Sequence, residues 1–326
     1  DVYLPKYENE ESFIMASHAD RLKQSECFKN SEMTCISCHN PHKSINDLSN
    51  DYFDNKCMNC HAECKEEETQ GCISCHMPKS SSTDIPHVSI SDHKISIPSS
   101  KKMKKGKFLG LFAINNDFPT NLSKAKAYLK RFESFEQNPI YLDSALVYLN
   151  HTAIDFPSYI QYFYLKNDAN GLVNFVMSNT IDSLMYNNSE LALAYSRMAE
   201  MFALKDLSLD AKRYYDNSVS LMPFVIDYKL KLGAFLINNK QLFAAKLIFE
   251  KALALNPTHK EIHLNLGYIF ILQQNFDLAD LYLKQAIALD PDYILAYENL
   301  VLCAQIQNNL IKVKLYLNKI LEIAPD

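Results

Sequence analysis

Residues 226–259 read IDYKLKLGAFLINNKQLFAAKLIFEKALALNPTH, and residues 260–293 read KEIHLNLGYIFILQQNFDLADLYLKQAIALDPDY; laid one over the other, they decide the fold. Both stretches are 34 residues long, and each ends just after a proline, Pro257 or Pro291. Pro223 and Pro325 extend the same spacing to four units. Small residues recur at Ala211, Ala245 and Ala279 and again at Ser218, Ala252 and Ala286, with a larger one between them at Tyr215, Phe249 and Leu283. Leu232-Gly233 and Leu266-Gly267 hold the close-contact positions of the first helix, and Tyr195, Phe202, Phe270 and Tyr297 are bulky fillers. The pattern predicts two antiparallel helices per unit: small side chains let them approach, aromatic rings fill the gap, and proline ends the second helix.

This sequence resembles the tetratricopeptide repeat, most closely over 226–259 and 260–293 and more weakly over 192–225 and 294–326, where Ala199 and Val301 replace the glycine. The resemblance implies an α-helical solenoid over 192–326 that binds partner proteins. Its inner groove would be lined by Leu230, Ala234 and Ile237 of one unit and by Leu264, Tyr268 and Ile271 of the next. Such an apolar lining suits an amphipathic helix better than an acidic tail, the alternative being that these residues pack within the protein itself. Ahead of the solenoid, residues 120–191 show helical spacing (Ala125, Leu129, Phe132; Leu142, Leu146, Tyr148) without the 34-residue signature. They read as a helical adaptor or as degenerate repeats. Residues 99–119 read as a Lys/Ser/Pro linker and residues 1–98 as a separate module.

That first module holds eight of the nine cysteines. Six form three C-x-x-C pairs, each followed at once by histidine: Cys35-Ile-Ser-Cys38-His39, Cys57-Met-Asn-Cys60-His61 and Cys72-Ile-Ser-Cys75-His76. C-x-x-C-H is the attachment sequence of c-type haem. Two thiols three positions apart can add to the two vinyl groups of one porphyrin, and the next imidazole then binds the iron as proximal ligand. Three haem c groups are therefore expected on Cys35, Cys38, Cys57, Cys60, Cys72 and Cys75, with His39, His61 and His76 on iron. The competing reading is a zinc ribbon built from Cys57, Cys60, Cys72 and Cys75. It leaves Cys35 and Cys38 without partners and gives no reason for three histidines at one offset. With macrocycles as its core, this polar stretch needs little regular structure.

Four more histidines, His18, His42, His87 and His93, are candidates for distal iron ligands, the alternative for each being an ordinary surface histidine. His18 falls in a stretch, Phe13 to Phe28, that reads as helix. His42 follows its own motif too closely to cross the same ring and would reach a neighbouring haem. His151, His259 and His263 lie far downstream. Haem is attached outside the bacterial cytoplasm, where thiols oxidise, so a Cys27–Cys64 disulfide is expected, with two separate thiols as the alternative. Cys303, in apolar helical sequence, reads as a core thiol.

The runs His18-Ala-Asp-Arg21-Leu-Lys-Gln-Ser25-Glu-Cys27-Phe28, Met33-Thr-Cys35-Ile-Ser-Cys38-His39-Asn-Pro41-His42 and Cys72-Ile-Ser-Cys75-His76-Met77-Pro78 resemble the multihaem cytochromes c, in particular the cytochrome c554-like group. The resemblance covers about residues 10 to 95 and implies closely packed haems with mostly bis-histidine ligation. Members carry further motifs nearer the N-terminus, so this module is expected to be the C-terminal part of a larger haem region.

Composition agrees with a mainly α protein: 48% of the 326 residues are apolar, while six glycines and no tryptophan disfavour sheet-rich folds and glycine-cradled nucleotide sites. The longest apolar candidate, Leu191 to Leu204, is broken by Ser196, Arg197 and Glu200, well short of the roughly 18 residues of a membrane span. The chain begins without methionine and reads as a mature or trimmed product whose targeting signal is gone. Residues 1–100 carry nine Lys/Arg against sixteen Asp/Glu, so no basic face for nucleic acid is expected. The five lysines of 101–107 are either solvated or available to haem propionates or an acidic partner. Together these features predict a periplasmic or extracellular electron-transfer protein, docked to redox partners through its repeats and acidic haem face, in a membrane-associated or multi-subunit setting. The alternative is a reductase or oxidase of a small nitrogen or sulfur species, with its catalytic haem upstream.

Overall fold

The computed structural model describes residues 1–8, 18–49, 51–61, 71–81, 89–97 and 107–325, which fall into two compact units, Asp1–Thr120 and Asn121–Asp326. Unit 1 is built from short pieces: β1 (Tyr3–Tyr7), α1 (His18–Lys23), α2 (Glu26–Lys29), α3 (Cys35–Cys38), α4 (Tyr52–Met58), α5 (Cys72–His76), β2 (Lys79–Ser81), β3 (Ser89–Ser91) and β4 (Phe108–Ala113). Two expectations change here. The helix expected across Phe13–Phe28 is broken, because buried Ser25 donates to Leu22 O at 2.7 Å and accepts from Phe28 N at 3.2 Å, ending one helix and capping the next. The expected linker, 99–119, contains a strand: β4 pairs antiparallel with β1, Tyr3 opposite Ala113 and Lys6 opposite Gly110, with Tyr7 and Phe108 edge to face at 5.6 Å. A second antiparallel pair joins β2 to β3, Lys79 opposite Ser91. Among the described residues of unit 1, Tyr7 is the one apolar side chain that is buried, while Ile36, Ile45 and Met58 are exposed.

Unit 2 is all helix: α6 (Asn121–Ser134), α7 (Pro139–Leu149), α8 (Phe156–Leu165), α9 (Ala169–Ser178), α10 (Asn188–Leu204), α11 (Ser208–Leu221), α12 (Ile226–Asn238), α13 (Leu242–Leu255), α14 (Lys260–Leu272), α15 (Phe276–Leu289), α16 (Ile294–Ile306) and α17 (Leu310–Ile323). No helix among the described residues is long and apolar enough to cross a membrane. Helices α10 to α17 form four antiparallel hairpins in the expected 34-residue register, and one continuous core runs from Phe156 to Cys303. The predicted small positions Ala211, Ala245, Ala279, Ser218, Ala252 and Ala286 are all fully buried, with Tyr215, Phe249 and Leu283 between them. Cys303 is buried in that core. At the last described hairpin, Leu317 occupies the Leu283 position but is 44% exposed, with no further described helix stacked on it.

The hairpin turns repeat as strictly as the core. Asp206, Lys240, Gln274 and Asn308, again 34 apart, each have φ between 56° and 60°. The next amide reaches back five positions in the Schellman manner, Gln241 N to Leu236 O at 2.8 Å and Asn275 N to Phe270 O at 2.8 Å. Asn167 closes α8–α9 the same way, at φ 55°, with Asp168 N on Phe163 O at 2.9 Å. A non-glycine residue in this region carries about 1–2 kcal/mol of Cβ strain, partly offset by the unfolded-state freedom that glycine would add. Gln274 is exposed. Gln274→Gly is therefore expected to stabilise unit 2 by about 0.5 kcal/mol, read as a higher urea midpoint at unchanged slope; a lower midpoint would contradict it.

A second periodic device ties each first helix to the preceding turn. The side chain at 229, 263 or 297 donates to the carbonyl of the unit-ending proline six residues earlier. These bonds are Lys229 Nζ to Pro223 O, His263 Nε2 to Pro257 O at 2.8 Å, and Tyr297 Oη to Pro291 O at 3.2 Å. Three residue types satisfy one otherwise orphaned acceptor. His263 is thus a structural histidine.

Candidate functional site

Each C-x-x-C-H motif folds as one helical turn, which sets its two thiols on the same side. His39 N donates to Cys35 O at 2.9 Å and His61 N to Cys57 O at 3.1 Å, while α5 carries the third motif whole. The intervening serines lock two of the turns: Ser37 Oγ accepts from Thr34 N at 3.0 Å, and Ser74 Oγ donates to Gly71 O at 2.6 Å. Motifs two and three are joined by Asp54 of α4, whose carboxylate accepts from Ile73 N at 3.0 Å and so caps α5. Gly71 makes room for this, since a Cβ there would collide with the Asp54 carboxylate. Cys38, Cys57, Cys72 and Cys75 are half-buried and Cys35 and Cys60 exposed. Burial, reinforced by Cys72, Cys38, Asp54 and Cys27, pushes the Cys57 thiol up to about 11. Cys27 is also half-buried; Cys64, its expected disulfide partner, lies outside the described residues.

The histidines separate into distinct settings. His76 Nδ1 lies 3.0 Å from Ser96 O and His93 Nδ1 lies 3.0 Å from Ser91 O. A carbonyl at Nδ1 holds the proton there and leaves the Nε2 lone pair for a metal. Burial lowers the His93 imidazole below its ordinary value. The fold brings His18, His39 and His93 near one another: the His18 and His93 rings meet edge to face at 4.6 Å, and His39 and His93 lie 6.1 Å apart with planes 21° from parallel. His42 and His61 are exposed, and His87 lies outside the described residues. Among the described residues no three His, Cys, Asp or Glu side chains converge as the zinc-ribbon alternative requires. Sequence reasoning passed over Arg21 and Asp92, which meet in a half-buried to buried ion pair beside these rings; nothing in the sequence links two residues 71 positions apart.

On the solenoid, Leu230, Ile237, Leu264 and Tyr268 are half-buried and Ala234 is exposed, so these residues can form a partly open apolar strip. Ile271 is corrected: it is 2% exposed and belongs to the core, where a partner cannot reach it. The strip also gives way to charge toward α6. Arg197 binds Glu133 at 2.5 Å, Tyr164 Oη donates to Glu200 at 2.8 Å, and Lys231 reaches the same carboxylate at 2.5 Å. Burial, with Glu200 beside it, pushes the Tyr164 phenol up to about 12. The charges in this network are internally paired.

The tetratricopeptide repeat family matches residues 236–306. Among solved structures, the chain is similar to MamA at 18% identity, covering 50% of this chain and 93% of that one with a TM-score of 0.41. It is also similar to YrrB, described as a TPR protein with an unusual peptide-binding site, at 20% identity over 62% and 94% of the two chains with a TM-score of 0.38. A third is PilW, a type IV pilus biogenesis factor, at 20% identity over 51% and 75% with a TM-score of 0.42. No curated protein matches the sequence. Unit 2 therefore carries tetratricopeptide repeats, an architecture whose stacked hairpins present extended surfaces for protein–protein interaction.

Proposed function

We propose that this protein is an exported multihaem c-type cytochrome that passes electrons and uses its tetratricopeptide repeats to dock on redox partners. The observation that carries the reading is the thrice-repeated C-x-x-C-H, each copy folded as one helical turn with its thiols on one side. Cys35 and Cys38, Cys57 and Cys60, and Cys72 and Cys75 would anchor three haem c groups, with His39, His61 and His76 as proximal ligands. The donor set fits: His76 and His93 both have Nδ1 tied to a carbonyl and Nε2 left to ligate. The single buried apolar side chain among the described residues of unit 1 is in keeping with a core supplied by a cofactor. Haem c bound there would supply reversible one-electron chemistry at iron. Two histidines on each iron would leave no position for a substrate, which favours electron transfer over catalysis, and His18, His42, His87 and His93 would be the pool of second ligands. Thioether attachment would put the protein outside the cytoplasm, in the periplasm or beyond. On unit 2, the strip of Leu230, Leu264 and Tyr268 would receive an amphipathic helix of the partner, while the acidic first module steers a basic one toward it.

Denatured protein from an exporting, haem-maturing host is expected to exceed its polypeptide mass by roughly 1.8 kDa, three haems' worth, and to stay coloured after acid-acetone extraction. A colourless chain of bare polypeptide mass would overturn the reading.

A further inference from the structure

Among the described residues of unit 1, buried Arg21 and half-buried Asp92 form an ion pair. Arg21, in the last turn of α1, is 5% exposed, and its guanidinium grips Asp92 through two bonds, Nε to Oδ1 at 2.8 Å and Nη2 to Oδ2. Asp92 is held in turn by Lys94 N, which donates to Oδ1 at 2.8 Å. A buried bidentate pair contributes little net stability, because desolvating both charges cancels most of the attraction; what it does is select one arrangement of the segments it joins. Here it joins α1 to the loop after β3.

The arrangement so selected concerns three imidazoles. Asp92 adjoins His93, and Arg21 lies three residues beyond His18, so the pair sits at the base of the edge-to-face contact between those rings. His93 also stands 6.1 Å from His39 with nearly parallel planes. Two imidazoles bonded at about 2 Å on opposite sides of one metal ion have ring centres about 6 Å apart. His93 Nδ1 is occupied by Ser91 O, which leaves Nε2 to ligate.

We propose that Arg21 and Asp92 are positioning residues that hold His93 opposite His39, as the second axial ligand of the iron attached through Cys35 and Cys38. This rests on the haem reading above. In this arrangement the ion pair would act through the register of α1 and the β3 loop, and its loss would free His93 to swing away while the thioethers stay intact.

The test uses the full, haem-loaded chain and compares wild type with Arg21→Met, His93→Ala and the double variant. Each is expected to keep three haems by intact mass, while one haem in three passes from low-spin to a high-spin form that binds carbon monoxide when reduced. The double variant is expected to convert no second haem, and added imidazole to return Arg21→Met to low spin, a rescue that a general loss of structure would not allow. Arg21→Lys, which keeps the charge but loses the fork, is expected to convert a smaller fraction of the same haem and carries the test if Arg21→Met fails to load. Low-spin spectra throughout the Arg21 variants, or a second haem converted in the double variant, would overturn the inference and leave the haem reading standing. Wild type without covalent haem would overturn both.

Discussion

Phe249→Ala is expected to lower the stability of unit 2 by about 3–5 kcal/mol, the range for removing a fully buried aromatic ring. The ring is 0% exposed and sits on α13 where that helix crosses α12. Its edge covers Gly233 so closely that a Cβ there would stand 2.6 Å from Cε1. The same position holds Tyr215 one unit earlier and Leu283 one unit later, both buried, so the site is the point at which each hairpin closes. Glycine cannot fill the void that alanine at 249 would leave. The converse change, Gly233→Ala, drives a methyl into the ring and is expected to cost about 1–2 kcal/mol, overpacking outweighing the roughly 1 kcal/mol gained in helix propensity. Because the two substitutions act on one volume, the double variant should be more stable than the sum of the singles predicts, the new methyl entering the vacated space. Urea unfolding followed by helical circular dichroism measures all three. A loss under about 1.5 kcal/mol for Phe249→Ala would show that the hairpins close elsewhere.

The solenoid was legible because its unit is set by side-chain size, and size is written in the sequence: small residues at 245 and 252, a ring at 249, proline at 257. What escaped is set by the backbone. The left-handed residues at 206, 240, 274 and 308 are Asp, Lys, Gln and Asn, so composition gives no sign of the turn they make. Nor do Lys229, His263 and Tyr297 look alike, though they bond the same carbonyl. Ile271 lies in the core and not in the expected groove, because helical periodicity cannot tell the edge of a buried face from its centre. In unit 1 the three C-x-x-C-H motifs were plain, since each repeats one fixed spacing, but the ties among them were not. Asp54 capping α5, Arg21 on Asp92, and β4 returning to β1 are long-range pairings between segments that have no periodic relation. The break at Ser25 had a local sign, a serine able to cap the following turn, inside what otherwise read as one helix.

Replacing Cys35, Cys38, Cys57, Cys60, Cys72 and Cys75 together with serine is expected to abolish the fold of unit 1 and leave unit 2 intact. Ordering each residue costs about 1–2 kcal/mol of backbone entropy, and small domains meet that cost with apolar burial or with an added staple such as a metal, a disulfide or a cofactor. Among its described residues unit 1 offers Tyr7 as buried apolar side chain, two short strand pairs, and a buried ion pair whose net worth is small. Exposed Ile36, Ile45 and Met58, beside the first two motifs, have no side-chain core to join. Without thiols to hold a cofactor, the entropy term wins. Unit 2 depends on none of this, since its core is continuous from Phe156 to Cys303 and its boundary falls between Thr120 and Asn121. Trypsin acting on the serine variant should therefore strip the N-terminal part and stop at a fragment beginning near Asn121 that retains its helical signal, whereas wild type carrying the proposed haems should resist over both units. A break near 192, where the clear 34-residue signature begins, is not expected, because α10 packs on α8 and would be left with Phe156 and Ile160 uncovered. If unit 1 of the serine variant resists the protease as well as wild type does, side chains alone sustain it and the cofactor is not its core.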